Sequence, residues 1–145
     1  MEQSLCRDFL QRLISDSKTG KWKRRILFLH VSGRYVVNAS SEEGRLAVNG
    51  MSYHARAGEN ANSAIIVTVT TRYGSEHPLA GMEFQRKLEE RAFRAGGGRI
   101  PVQRLEDFCK NQISTSFGNV EPQMKGAYAF GDVHGIFPAS AGRIH

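Results

Sequence analysis

Apolar residues first recur at a four-residue step. Leu5, Phe9 and Leu13, with Leu10 and Ile14 beside them, form one stripe of a short helix over residues 4–16, with Gly20 as its stop. An apolar run at residues 26–31 follows, then a turn at Ser32-Gly33-Arg34. Residues 35–39 predict a strand and Glu42-Glu43-Gly44-Arg45 a turn. Residues 46–51 predict the second strand of that hairpin, with Gly50 hinting at a bulge or a close backbone approach. Residues 53–63 are polar and predict a long loop. Residues 64–71, dense in β-branched Ile, Val and Thr, predict the strongest strand in the chain.

The period then changes from two to nearly four. Pro78 suits a first helical turn, and residues 79–94 predict the best helix. Phe84, Leu88 and Ala92 recur at four-residue steps, while Glu83/Lys87 and Glu90/Arg94 are favourably ordered i, i+4 pairs. Leu79, Met82 and Phe93 add a second apolar edge, which predicts packing on more than one side. Gly96-Gly97-Gly98 ends the helix. Pro101 predicts a shorter helix through about Asn111, with Val102, Leu105, Phe108 and Cys109 inward. Beyond Gln112 no element is predicted. Strands first and helices second make an α+β fold, a small antiparallel β-sheet followed by two helices.

Composition changes this picture little. The chain has 145 residues, 40% of them hydrophobic and 23% charged, which suits one globular domain. No run approaches the ~20 apolar residues of a membrane helix, and residues 1–16 mix charge with apolar residues, unlike a signal peptide. A cytoplasmic location is expected. Cys6 and Cys109 form neither a disulfide framework nor a metal spacing.

Charge matters through its location. Residues 1–34 hold eight Lys/Arg against three Asp/Glu, and residues 35–145 hold twelve against eleven. The net charge of +6 is therefore concentrated near Lys21-Trp22-Lys23-Arg24-Arg25. A solvated charge run is the usual meaning of such a cluster, and a single Trp makes no base-stacking platform. Nucleic acid is not expected as a partner.

Local motifs are weighed by the chemistry they need. Gly131-Asp132-Val133-His134-Gly135 has the form of a metallophosphoesterase ligand segment. A two-metal site needs further ligands downstream, yet His145 is the only His after it, and no strand is read ahead of Gly131. A glycine-rich turn is expected and no metal is assigned. The glycine run at 96–98 follows a helix, whereas a phosphate cradle precedes a helix N-terminus. No Gly-x-Gly-x-x-Gly dinucleotide fingerprint occurs. Two polar stretches, at residues 48–56 and 58–64, can offer amide donors and acceptors to a ligand or equally form a hydrogen-bonded structural loop. Asn60 and Asn62, two apart, share a side if that segment is extended.

These stretches carry a family resemblance. Val36-Val37-Asn38-Ala39-Ser40-Ser41-Glu42, Asn49-Gly50-Met51-Ser52-Tyr53 and Gly58-Glu59-Asn60-Ala61-Asn62-Ser63-Ala64 resemble, in order, blocks of bacterial NAD(P)/FAD-dependent oxidoreductases, in their "FAD-dependent protein C-terminal" region. The likeness continues through residues 78–89, Ala92-Phe93, the glycine run, Pro101-Val102-Gln103-Arg104, Asp107-Phe108 and residues 120–128. It implies FAD in the parent family and a cap-like, substrate-side fragment without a complete Rossmann domain. The implied partner is a flavin-binding Rossmann portion or subunit. Asn49, Ser52, Asn60, Asn62 and Ser63 are the cofactor- or substrate-facing candidates, chosen for polarity and family position, and no catalytic residue is assigned.

Departures bound the resemblance. Where family members resemble Phe-Cys-x-Cys-Pro-Gly-Gly, this chain has Phe28-Leu29-His30-Val31-Ser32-Gly33-Arg34, so no role is carried over from those cysteines. The glycine-rich FAD loop and the Gly-Glu-Gly segment of such proteins are absent. The expected division is a basic non-family segment at 1–34, the family-like region at 35–138 and a non-family tail at 139–145. Ends read out of the parental frame, or a truncated gene, are the expected explanation.

Overall fold

A computed structural model describes residues 31–62 and 77–137. The expected helix over 4–16, the basic cluster at 21–25, the strand over 64–71 and Ser63 lie outside the described residues. Strand β1 is Val31–Ser32, β2 Arg34–Asn38, β3 Val48–Ser52 and β4 Ala61–Asn62. Helix α1 spans Ala80–Ala95, followed by β5 Ile100–Val102 and the short helix α2 Leu105–Cys109. The last elements are β6 Met124–Lys125, β7 Tyr128–Phe130 and a 3-10 turn at His134–Ile136.

The class is α+β, as the order of periods predicts, but the sheets are small and mixed where one antiparallel sheet was expected. β2 pairs antiparallel with β3 and parallel with β6, β1 pairs antiparallel with β4, and β5 pairs parallel with β7. Both parallel partners come from the stretch beyond Gln112. Strands of two and three residues are too short to show a period in sequence.

The hairpin register runs Arg34↔Ser52 to Asn38↔Val48 without interruption, Val36 facing Gly50, so there is no bulge at Gly50. Leu46, expected in β3, instead sits before it. Its N–H donates to the Glu89 carbonyl at 3.0 Å and its side chain is buried, so the turn is fastened to α1. An Arg86–Glu42 pair at 3.0 Å joins the same two segments on the surface, where such a pair is worth about 0–1 kcal/mol.

α1 begins one residue later than expected. The Leu79 N–H donates to His77 Nδ1 at 3.2 Å and the Ala80 N–H to the His77 carbonyl at 3.0 Å, so His77 satisfies two backbone donors ahead of the helix. Its C-terminus is a Schellman motif. The Gly98 N–H donates to the Phe93 carbonyl and the Gly97 N–H to the Arg94 carbonyl, with φ of 81° at Gly98 and 57° at Gly97.

The expected helix from Pro101 is replaced by β5 and the five-residue α2. Ile100 donates its N–H to the Ala127 carbonyl, and the Val102 carbonyl accepts from Gly131 N–H. Pro101 lies between these, where the ladder asks for no donor, so a proline is tolerated. α2 is held from outside itself. Ser114, 2% exposed, accepts from the Arg104 N–H at 2.7 Å and donates to the Asp107 carboxylate at 2.7 Å. On the solvent side of α2, Lys110 donates to Glu106 at 2.6 Å. That hydrogen bond and the Lys110 charge hold the Glu106 carboxyl below its usual range.

Among the described residues the buried apolar side chains are Leu46, Ile100 and Ile136. Of the expected second edge, Leu79, Met82 and Phe93, the first two are exposed at 50% and 40% while Phe93 is half-buried. The helix therefore packs on one side and presents an uncovered apolar edge on the other. No helix among the described residues is long and apolar enough to cross a membrane.

Candidate functional site

Residues directly opposite each other in a ladder share a face, so the register sorts the three-stranded sheet. One face carries Arg34, Val36, Ser52, Val48 and Met124; the other carries Tyr35, Val37, Met51, Asn49 and Lys125. A cleft of about 640 Å³ opens against the first face. Its far wall is β5 with Gln103 and Arg104, and residues 117–124 close one end. Phe117 is fixed there by Tyr128 and Phe130, at ring separations of 5.3 and 4.9 Å.

The structure does not bring the five sequence candidates together. Asn49 and Ser52 are three apart in one strand and therefore lie on opposite faces. The Asn49 amide reaches only the Met51 sulfur, at 3.8 Å. Ser52 is on the cleft's side of the sheet, but exposed and outside its lining. Asn60 lines the cleft, yet its side-chain amide donates to the Glu121 carbonyl at 2.8 Å while its backbone carbonyl accepts the Arg34 N–H at 2.9 Å. It fastens residues 118–123 to the edge of β2, so the structural-loop alternative describes Asn60. Asn62 belongs to β4, opposite Val31, and Ser63 lies outside the described residues.

Residues that the sequence did not single out hold the cleft. Gln103 uses both ends of its amide: it donates to the Gln112 carbonyl at 2.7 Å and accepts the His134 N–H at 3.0 Å. Arg104 lies 3.6 Å from Glu106. Arg34, across the cleft from them, forms no ion pair with a described residue, and its Nε is buried without a hydrogen-bond acceptor. Alternation of Arg34, Val36 and Asn38 along β2 was the one signal in the sequence that could have placed Arg34 on an inner face.

On the opposite face Lys125 Nζ stands 4.4 Å from the Tyr35 ring centroid and 4.7 Å from that of Tyr53. A hydrogen bond with Tyr53 leads the causes that raise its pKa above the ordinary lysine value. The group is a cation stacked over two aromatic rings.

The Gly131–Gly135 segment is a turn. A short strand, β7, does precede it, against expectation, but its polar side chains are spent locally. The Gly135 N–H donates to Asp132 Oδ1 at 2.9 Å, and a Cβ at Gly135 would clash with the other carboxylate oxygen. The His134 ring packs edge-on against Phe108 at 5.2 Å. Among the described residues no three His, Cys, Asp or Glu are grouped to hold a metal ion.

A whole dinucleotide does not fit the described residues. Its pyrophosphate needs backbone N–H groups at a helix N-terminus after a tight glycine turn. The glycine run here lies at the C-terminal pole of α1, where the helix dipole is negative.

The described residues thus form a small α+β region with a polar-apolar cleft and, among them, no dinucleotide cradle. Its sequence matches, over residues 22–143, the pattern of the family described as FAD-dependent protein, C-terminal domain-like, and the chain belongs to that family. A protein of Clostridium beijerinckii (strain ATCC 51743 / NCIMB 8052), itself described as uncharacterized, is 48% identical over 122 residues. These make up 81% of this chain and 23% of the relative, so the chain spans about a quarter of the length of the curated relative it matches.

Proposed function

We propose that this chain is the cap-like, substrate-side region of a bacterial, cytoplasmic FAD-dependent oxidoreductase and works only when docked on a flavin-binding portion or subunit. Membership of a family named for FAD dependence, in a chain whose described residues offer no pyrophosphate cradle, is the observation that carries this reading. The flavin supplies the redox chemistry in such an enzyme, while the protein supplies binding and orientation. This chain's share would be to wall the substrate space and exclude water. The uncovered Leu79–Met82 edge of α1 is the docking surface in this reading: an apolar edge left in water is unfavourable by about 25 cal/mol per Å².

The isolated chain is expected to purify colourless and to turn over no substrate. Co-expressed with the Clostridium relative lacking its matching 122 residues, it is expected to co-purify with visible flavin absorbance. Stoichiometric flavin on the isolated chain would contradict the reading, as would a flavin-bearing partner that never retains it.

A further inference from the structure

We propose that the cleft between the sheets binds a small monocarboxylate with an apolar body, held through Arg34. This rests on the substrate-side reading and gives it a substrate class.

At about 640 Å³ the cleft lies within the roughly 300–1,000 Å³ of small-molecule sites. Its walls are largely apolar, with Val36, Val48, Val102, Phe117, Val120 and Met124 among the lining residues. Such walls favour an aliphatic or aromatic body. The polar groups at the cleft are mostly committed: the Asn60 amide to Glu121, the Gln103 amide to Gln112 and His134, and Arg104 beside Glu106. Among the cleft's cations Arg34 is the exception. It projects from the face that carries Val36, Val48 and Met124, makes no ion pair with a described residue, and keeps a buried Nε without an acceptor.

A buried donor without an acceptor is unfavourable, the more so in a charged group. A carboxylate takes two guanidinium N–H groups together in parallel hydrogen bonds, and a turn of the Arg34 side chain toward it would bring Nε, shut from the cleft as it stands, to an acceptor. Charge selects a monoanion. Arg104 is offset by Glu106 and Glu59 also lines the cleft, so the two guanidiniums and two carboxylates sum to zero; Arg34 alone among the cleft's cations lacks an ion pair, which disfavours a doubly charged phosphate.

The test titrates hexanoate, its neutral analogue hexanamide and inorganic phosphate onto the full chain, read by backbone amide chemical shifts. Hexanoate is expected to move Val36, Val102 and Gly118, and to bind at least about tenfold more tightly than hexanamide. Arg34→Gln is expected to weaken hexanoate by a similar factor and leave hexanamide unchanged, with Arg34→Lys falling between. The hexanoate–hexanamide comparison needs no substitution, so it decides the matter even if a variant is poorly folded. Equal binding of acid and amide, tighter binding of phosphate, no shift with hexanoate, or unchanged affinity in Arg34→Gln would each overturn the proposal. Should the chain bind hexanoate through Arg34 yet never join a flavin-bearing partner, the site stands and the flavoprotein reading falls. The reverse pattern removes the site alone.

Discussion

Gly96→Ala is expected to destabilise the chain by more than about 3 kcal/mol, at the severe end of single substitutions, read as a lowered urea midpoint. A Cβ at Gly96 would stand 2.8 Å from the Arg99 carbonyl carbon and 3.1 Å from Pro101 N, and closer still to the Arg99 oxygen. All three are backbone atoms, so no side chain can swing aside. Relief requires moving residues 99–101, yet Ile100 is 4% exposed and donates to Ala127 at the start of the β5–β7 ladder. The clash therefore reaches the cleft's far wall. Gly97→Ala is the control. Its φ is 57° but nothing lies within 4 Å of the added carbon, so only the left-handed backbone cost of about 1–2 kcal/mol applies. Equal losses at both positions would show that close approach at Gly96 is not what matters.

Ser114→Val is expected to lower stability by about 2–4 kcal/mol and to loosen α2. The valine removes an acceptor from the Arg104 N–H and a donor from the Asp107 carboxylate, leaving both short of partners at a fully buried position. Each such loss costs about 1–3 kcal/mol. The effect should fall on hydrogen exchange in residues 104–112 first, because α2 has five residues and isolated helices of that length do not persist in water. Ser114→Thr keeps the hydroxyl and should recover most of the stability. If valine and threonine behave alike, steric volume and not hydrogen bonding governs the site.

The parts of the fold legible in sequence were those with a sustained period. Helix α1 shows in the Phe84, Leu88, Ala92 spacing, its end in the glycine run, and β2 in Tyr35 to Asn38. Pro101 misled because the proline's φ suits a helix start and an extended strand equally. Only β7, which brings Ala129 opposite Pro101 in the ladder, decides between them. The strands β6 and β7 exist through pairing, not through local preference, so no local pattern announces them.

The candidate site was legible in a narrower sense. The polar stretch at 58–62 does reach the cleft through Asn60, but chemical type alone could not tell a ligand-facing amide from one that ties two loops together. Asn49 and Ser52 were separable in principle, since residues three apart in a strand point oppositely. Arg34 was passed over because arginine next to a turn is usually solvated. What sets it apart, an unpaired buried nitrogen and a place on the inner face, depends on β6 and on residues 117–124 arriving from the far end of the chain.

The central claim is that this chain is one side of a flavoprotein and closes through the Leu79–Met82 edge. Limited peroxide oxidation of methionine, compared between the isolated chain and its complex with a flavin-bearing portion of the Clostridium relative, tests it most directly. Met82 at 40% and Met51 at 42% exposure start equally open. Met82 is predicted to become protected in the complex while Met51, on the sheet face away from the cleft, stays reactive. Undiminished oxidation of Met82 in a complex that has formed would contradict the account.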